Sequence, residues 1–162
     1  MESYGRVYKI KTNWEFVADT VMDGISRGQI AKETIDGRSA TRLTGLVSLE
    51  NNGGFIQMAS DLKRDGSILD AGYRTGIEID VYGNDELYDL RLRTDDLERP
   101  WQSFRAPFRA TAQWSTIQFP FLIFEPHRSE KVLRPARLRR IGVVAVGRVF
   151  QADVAVSDVR LF

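Results

Sequence analysis

The chain is poor in the residues that build disulfides, metal centres and membrane spans. Its 162 residues include no cysteine and a single histidine. Without cysteine there are no disulfides and no thiolate metal ligands, so the stability must come from the apolar core. One histidine and the lack of a spaced carboxylate loop give no metal-binding pattern. No apolar run approaches the roughly 20 residues that a membrane-spanning helix needs.

Further absences narrow the class of protein. The formal net charge is only +1, which gives no general attraction to nucleic acid. The chain has no G-x-G-x-x-G or P-loop motif, so no nucleotide cofactor is expected. Residues 1–5 lack the basic and apolar regions of a signal peptide, which favours a cytoplasmic location. The length fits one domain over residues 1–162.

Alternating apolar and polar residues are the clearest pattern in the chain. Ile77, Ile79 and Val81 alternate with polar neighbours, as expected for a strand with one buried face. The same period of two predicts further strands at residues 89–93, 103–108, 114–119, 141–146 and 154–161. The phase changes in the last of these, which predicts a bulge near Ser157 and Asp158. Many short strands are typical of antiparallel sheets packed as a sandwich or jelly roll, with little helix beyond one turn within residues 134–140.

Two turns rich in Asn, Asp and Gly interrupt the first half of the chain. Asp36-Gly37 is a strong two-residue hairpin signal between two apolar stretches. The second turn comprises Asn51, Asn52, Gly53 and Gly54. These residues take positive φ at low cost, which predicts a hairpin in which Leu46–Leu49 pairs with Phe55–Met58.

Two motifs around the second turn are similar to those of a known family. Residues 19–26 read Asp-Thr-Val-Met-Asp-Gly-Ile-Ser and resemble a D-x-V-M-G-G-x-S segment, with Asp23 in place of the first glycine. Residues 43–55 match F/L-x-G-x-V-S-L-E-N-N-G-G-F at nearly every position. Later segments fit the family's remaining strands in order: Tyr88–Thr94, Trp101–Phe108, Trp114–Pro120 and Leu138–Gly142. Over nearly its whole length the chain therefore resembles the complex I intermediate-associated protein 30 family.

The resemblance implies a galactose-binding-like jelly roll and, for the mitochondrial members, a role in assembling respiratory complex I. It implies protein partners, respiratory complex I subunits among them, and a peripheral position at a membrane reached through such a partner. The mitochondrial members carry an Arg- and Ser-rich transit segment that this sequence lacks, so it is more similar to a bacterial relative. A removed transit segment would place the protein in the mitochondrial matrix.

A G-x-S-x-G pattern at Gly24–Gly28 raises the alternative of a serine hydrolase. In that motif a strained turn from a strand to a helix exposes the serine beside a histidine base. Here Asp19–Asp23 is polar rather than a buried strand, and strand residues follow. His127, the only available base, lies in a proline-flanked loop. Ser26 is therefore predicted to be a turn residue that bonds its own backbone, and no catalytic residue is assigned.

The polar residues of the predicted strands define the candidate binding surface. On the expectation that they form one surface, the following residues are predicted to bind a partner or ligand: Asp80, Tyr82, Arg91, Arg93, Trp101, Arg105 and Trp114. Arginines and aromatics together suit a protein partner or stacking on a sugar ring. The competing interpretation is a solvated face with cross-strand salt bridges, such as one between Asp80 and Arg91.

A basic run extends from His127 to Arg140, with Glu130 as its only acid. Such a run suits phosphates or an acidic membrane surface, although most are solvated loops, and the lack of interleaved aromatics argues against nucleic acid. The prediction is therefore a non-catalytic assembly factor or chaperone-like binding protein that acts by protein contacts, without metal or cofactor. The alternative is a carbohydrate-binding module that uses the aromatic and Arg-rich sheet face.

Overall fold

Two antiparallel β-sheets pack face to face in the computed structural model of the protein. The structure describes residues 7–22, 24–52 and 54–162. In these residues the strands are β1 (Tyr8–Ile10), β2 (Glu15–Ala18), β3 (Arg27–Ile35), β4 (Arg38–Val47), β5 (Phe55–Asp61), β6 (Gly76–Tyr82), β7 (Glu86–Thr94), β8 (Ser103–Ala110), β9 (Ser115–Pro120), β10 (Glu125–His127), β11 (Leu138–Val146) and β12 (Phe150–Leu161).

In each sheet, several neighbouring strands come from distant parts of the sequence. The first sheet has the order β3-β4-β12-β6-β9, and β1 also pairs with β12. The second sheet has the order β10-β8-β7-β11-β5-β2. Consecutive strands such as β4 and β5, or β6 and β7, lie in different sheets, so the chain crosses repeatedly between them. The predicted all-β sandwich of antiparallel sheets is confirmed.

The core lies between the two sheets and is built by the predicted alternation. Ile77, Ile79 and Val81 of β6 are fully buried, and so are Leu90 and Leu92 of β7. Every second residue of a strand points to the same side, so these side chains meet between the sheets. Their polar neighbours are left on the outer faces, where a binding surface can form.

Two local predictions are confirmed. The pairing of β12 with β6 shifts register between Val156 and Val159, where the sequence predicts a bulge. Val156 and Val159 are both buried, because the bulge restores the direction of the side chains that follow it. Asp36 (φ 45°) and Gly37 (φ 79°) form the two-residue turn of the predicted hairpin between β3 and β4.

The turn at Asn51–Gly54 does not form the predicted hairpin. β4 pairs with β3 and β12 in the first sheet, whereas β5 pairs with β2 and β11 in the second. The connection between β4 and β5 therefore leads from one sheet to the other. Asn51 (φ 56°) and Gly54 (φ 136°) do adopt positive φ, and Gly53 lies outside the described residues. Positive φ reverses the chain, but distant strands decide where each apolar face is buried.

Helical structure is confined to short 3-10 turns in the described ranges. They lie at Asp19–Met22, Glu50–Asn52, Phe121–Ile123 and Pro135–Arg137. The last of them falls within the residues for which the sequence predicts one helical turn. None of the helices in this part of the chain is long and apolar enough to cross a membrane.

Candidate functional site

The predicted binding residues do not share one surface. Asp80, Tyr82 and Trp114 lie on or beside β6 and β9 of the first sheet, Arg91, Arg93 and Arg105 lie on β7 and β8 of the second, and Trp101 lies in the connection between β7 and β8. Because the sheets pack through their apolar faces, their polar faces point in opposite directions. The expectation of one surface is therefore wrong, since alternation places a side chain on a face without saying which sheet carries it.

On the first sheet, Asp80 belongs to a buried ionic network. Asp80 is only 5% exposed, and its neighbour Glu78 only 7%. Arg160 of β12 donates to both carboxylates, with Nε 2.7 Å from Glu78 Oε2 and Nη1 2.8 Å from Asp80 Oδ2. Arg38 Nη1 lies 3.4 Å from Asp80 Oδ2. The suggested pairing of Asp80 with Arg91 is wrong because the two residues lie in different sheets.

Hydrogen bonds favour the ionised form of Asp80. The bonds from Arg160 lower the pKa of the Asp80 carboxyl, burial opposes them, and the hydroxyl of Thr116 lowers the pKa further. Glu78 Oε1 accepts a bond of 2.9 Å from Gln118 Nε2. The buried charges are thus compensated within the sheet. We conclude that the network stabilises the fold and offers no free carboxylate to a ligand.

Trp114 and Tyr82 are also engaged within the protein. The indole Nε1 of Trp114 donates to the carbonyl of Ile35, at 2.8 Å. The edge of the ring system contacts Tyr82, with 5.6 Å between ring centroids, and the guanidinium of Arg38 lies over Trp114 at 5.0 Å. These contacts hold the end of the β3–β4 hairpin against β6 and β9. A sugar ring would have to displace Arg38 to stack there.

The outer face of the second sheet carries a small cationic cluster, which we call the arginine face and define by Asp89, Arg91, Arg105 and His127. Arg91 on β7 is the cross-strand neighbour of Arg105 on β8. Both approach one carboxylate, with Arg91 Nη2 2.9 Å and Arg105 Nε 3.7 Å from Asp89 Oδ2. Two guanidiniums share one carboxylate, so positive charge is left over. The side chain of Arg105 is 42% exposed, which leaves it accessible to a partner.

His127 lies on β10, at the border of the arginine face. The prediction that it lies in a loop is wrong, because residues 125–127 pair with β8 as an edge strand, where proline is tolerated. Burial lowers the pKa of its imidazole, and the charges of Arg91, Arg105 and Arg128 lower it further. Because the unperturbed value is about 6.5, the ring is neutral near pH 7. The positive charge of the face therefore comes from the arginines alone.

Arg93 supports the connection that carries Trp101. Its Nη1 donates to the carbonyls of Arg99 and Pro100, both at 3.1 Å, and to that of Gln102. These bonds shape the turn between β7 and β8, on which the Trp101 side chain is 56% exposed. Arg93 is thus a structural residue for this connection, a role that its position in an alternating strand does not reveal.

The residues that resemble the family motifs form a buried hydrogen-bond cluster that sequence reasoning did not predict. Asp19 is fully buried, and its carboxylate accepts bonds from the amides of Ser26 (3.0 Å), Gly54 (2.6 Å) and Phe55 (3.2 Å). It also accepts a bond from the hydroxyl of Ser26. Burial raises the pKa of the Asp19 carboxyl, but these four bonds together lower it more. Asp19 therefore joins two of the connections that cross between the sheets, β2 to β3 and β4 to β5.

The hydroxyl of Ser26 is fully hydrogen-bonded within this cluster. Ser26 is 1% exposed, and besides bonding Asp19 its Oγ accepts the amide of Ser48 at 2.8 Å. The prediction that Ser26 bonds its own backbone is wrong, because its partners come from residues 19 and 48. Gly24 is required by the same packing, since a Cβ there would lie 2.4 Å from Asp19 Cγ. The motif Asp-x4-Gly-x-Ser, shared with the family, is the sequence signal from which this cluster could have been predicted. Asp23, which departs from the family motif, lies outside the described residues.

The side chains of the described residues form neither a metal-binding group nor a cleft with catalytic residues. In the described ranges, no group of three or more His, Asp or Glu residues could hold a metal ion. A cleft of about 310 Å³ opens beside β3 and β4. Its lining consists of Thr12, Asn13, Trp14, Ile30, Ala31, Lys32, Ser39, Ala40, Thr41 and Ser157. It brings no carboxylate or imidazole to these hydroxyl groups.

Solved structures with a similar fold include carbohydrate-binding modules. The family 11 carbohydrate-binding module of a cellulosomal cellulase of Clostridium thermocellum is similar, with a TM-score of 0.74 at 11% identity, over 93% of this chain and 87% of that one. A family 30 carbohydrate-binding module from the same organism has a TM-score of 0.70 at 13% identity, with 97% of each chain covered. At such low identity the likeness concerns the fold. The predicted galactose-binding-like jelly roll is confirmed.

A comparison of the sequence with family models shows the family of the chain. The model of the family described as Complex I intermediate-associated protein 30 (CIA30) matches residues 7–157. The chain belongs to the complex I intermediate-associated protein 30 family, which confirms the resemblance seen in its motifs. No curated protein matches the chain at significant sequence similarity.

Proposed function

We propose that the protein is a non-catalytic assembly factor that binds an acidic patch on a protein partner, a respiratory complex I subunit or precursor, through the arginine face. The family supports the link to complex I assembly. The observation that carries the proposal is the pair Arg91 and Arg105, which share the single carboxylate of Asp89 on the outer face of the second sheet, with Arg105 the more exposed of the two.

The chemistry of this pair suits a protein interface. An exposed guanidinium can form two parallel hydrogen bonds with a partner carboxylate, which gives both affinity and orientation. Arg and Trp are also the residues that most often dominate the energy of protein interfaces. Arg105 and Trp101 have the exposure that such contacts need. The rigid strands β7 and β8 hold the two arginines in register, so little entropy is lost on binding.

The absence of catalysis is part of this proposal. The Ser26 hydroxyl is buried and committed to Asp19 and Ser48. His127 lies on β10 of the second sheet, where it is paired with Ser103 of β8. A nucleophile needs an accessible hydroxyl within reach of its base. A fluorophosphonate probe should therefore leave Ser26 unlabelled, and labelling that disappears in Ser26→Ala would contradict this part of the proposal.

Carbohydrate binding is the second candidate function. Carbohydrate-binding modules are among the structural neighbours, one of them in complex with a β-1,3-1,4-mixed-linked tetrasaccharide. In this chain the exposed indole of Trp101 provides a surface on which a sugar ring could stack. Trp114 and Tyr82 do not support this function, because their contacts with Arg38 and with each other already occupy them.

A pull-down from detergent-solubilised respiratory membranes tests the assembly role. The wild type should recover complex I subunits, Arg105→Glu should lose them, and Arg64→Glu should retain them. Arg64 is the matched control because it is also exposed, and it has no ion pair in the described part of the chain. Arg93 is avoided because its replacement would disturb the Trp101 connection.

The same variants separate the two candidate functions. If the protein is an assembly factor, Arg105→Glu should abolish the recovery of complex I subunits. The wild type should then bind no sugar on a glycan array. Glycan binding that Trp101→Ala removes and Arg105→Glu preserves would favour the carbohydrate function. Equal recovery of subunits by the wild type and a folded Arg105→Glu would refute the arginine face as the partner site.

A further inference from the structure

A second pocket lies beyond the arginine face, at the end of β7 and the start of β11. Its volume is about 240 Å³. It is lined by Arg93, Thr94, Asp95, Leu97, Arg139 and Arg140. Three of these six side chains are guanidiniums, so the pocket is cationic unless each of them is neutralised nearby.

Only part of that charge is neutralised. Arg140 Nη1 lies 2.7 Å from Asp61 Oδ1, and its Nη2 lies 2.6 Å from Glu15 Oε1. Arg93 and Arg139 have no carboxylate partner in residues 7–22, 24–52 and 54–162. Burial lowers the pKa of Arg93, and the charges of Arg140 and Arg139 lower it further. Arg93 and Arg139 thus face one small volume without a carboxylate partner of their own. Because Arg140 is shared by two carboxylates, the summed charge of these five side chains is +1.

The one acid in the pocket does not offset this charge. Asp95 Oδ1 accepts a bond of 2.7 Å from Arg137 Nε, and Asp95 Oδ2 accepts a second bond from Arg137 Nη2. This bidentate pair is complete in itself. The excess positive charge therefore belongs to Arg93 and Arg139.

Two residues that line the pocket carry hydrogen-bond donors that are not used within the described residues. Thr94 is only 2% exposed, and its Oγ1 has no hydrogen-bond partner in the described residues. A buried hydroxyl without a partner destabilises a protein unless something fills the gap. Arg93 bonds the carbonyls of its own connection through Nη1 alone, which leaves Nε and Nη2 free in that part of the chain.

A β-bulge in the second sheet positions Arg139. The pairing of β11 with β7 shifts register between Leu138 and Arg140, with Leu138 opposite Thr94 and Arg140 opposite Arg93. Arg139 is the extra residue of this bulge. Bulges redirect a side chain and are frequent beside functional sites.

We propose that this pocket binds a phosphate group, with Arg93 and Arg139 as charge-assisted donors and the Thr94 hydroxyl as a neutral one. A phosphate monoester offers three strong acceptor oxygens, which suits two guanidiniums that lack carboxylate partners better than the two oxygens of a carboxylate do. Free phosphate and the phosphate of a lipid headgroup share this chemistry. The site is independent of the arginine face, so its failure would leave the assembly role standing.

Calorimetric titration with inorganic phosphate tests the proposal, with sodium chloride at equal ionic strength as the blank. The wild type should show saturable heat. Arg139→Ala should weaken binding at least about tenfold, the loss of one charge-assisted contact. Arg139 is exposed, so this variant should fold, and Arg64→Ala is the matched control that should bind as the wild type does.

Thr94→Val adds a readout that a purely structural role would not produce. Removal of the unpartnered hydroxyl should raise the melting temperature of the ligand-free protein, while phosphate affinity falls. Flotation with phosphatidylcholine vesicles, with and without phosphatidic acid, separates the two sources. Flotation that depends on phosphatidic acid and on Arg139 identifies a lipid headgroup, and binding in solution alone identifies free phosphate. No saturable heat, or equal affinity in the wild type and Arg139→Ala, would overturn the proposal.

Discussion

Replacing Asp19 by Ala removes a carboxylate that accepts hydrogen bonds from two inter-sheet connections, β2 to β3 and β4 to β5. The amides of Ser26 and Gly54 lie in the buried region and would lose their partner, as would the more exposed amide of Phe55. A buried donor left without a partner costs about 1–3 kcal/mol, so two of them cost about 4 kcal/mol together. That is a large part of the total stability of a domain, which is about 5–15 kcal/mol.

Thermal and urea unfolding followed by circular dichroism measure this loss. At about 2–4 °C for each kcal/mol, the melting temperature of Asp19→Ala should fall by roughly 8–16 °C. Asp65→Ala is the matched control, because Asp65 is exposed and bonds only the amide and hydroxyl of nearby Ser67. It should change the melting temperature little. Equal shifts in both variants would refute the idea that Asp19 holds the two connections together.

The pH dependence gives an independent check on Asp19. Its pKa is lowered in the folded state, so its ionised form contributes stability that is fully present above the unfolded value of about 3.9. That contribution is lost as the pH falls through the folded value. The difference in unfolding free energy between the wild type and Asp19→Ala should therefore be constant near neutral pH and shrink below about pH 4. A difference that grows on acidification would contradict this account.

Three further substitutions test the surrounding contacts. Gly24→Ala should destabilise by about 1–3 kcal/mol in urea unfolding, because its Cβ would lie 2.4 Å from Asp19 Cγ. Arg160→Met should cost about 3–5 kcal/mol in the same assay, because it removes the main partner of two buried carboxylates. Arg93→Ala should speed limited proteolysis within residues 95–102 and change the fluorescence of Trp101, whereas unchanged cleavage would mean that Arg93 does not order that connection.

Local patterns in the sequence were sufficient for most of the longer strands and for one turn, but not for the short strands β1 and β10. Ile77, Ile79 and Val81 reveal both a strand and its buried face, because side chains of a strand alternate with a period of two. The turn at Asp36-Gly37 was also predictable, since a two-residue turn brings adjacent strands into register without help from the rest of the chain. The family resemblance added the jelly-roll topology, which alternation alone could not distinguish from other sandwiches.

Only the tertiary structure decided which strands are neighbours and which polar groups meet. Asn51–Gly54 has the residues of a hairpin turn, yet β4 and β5 belong to different sheets, because each buries its apolar face against strands from elsewhere in the chain. For the same reason Asp80 finds Arg160 rather than Arg91, and Asp19 finds amides at residues 26 and 54. Hydrogen bonds and ion pairs act over a few ångströms, so their partners are chosen by the packing of distant segments, which no local pattern records.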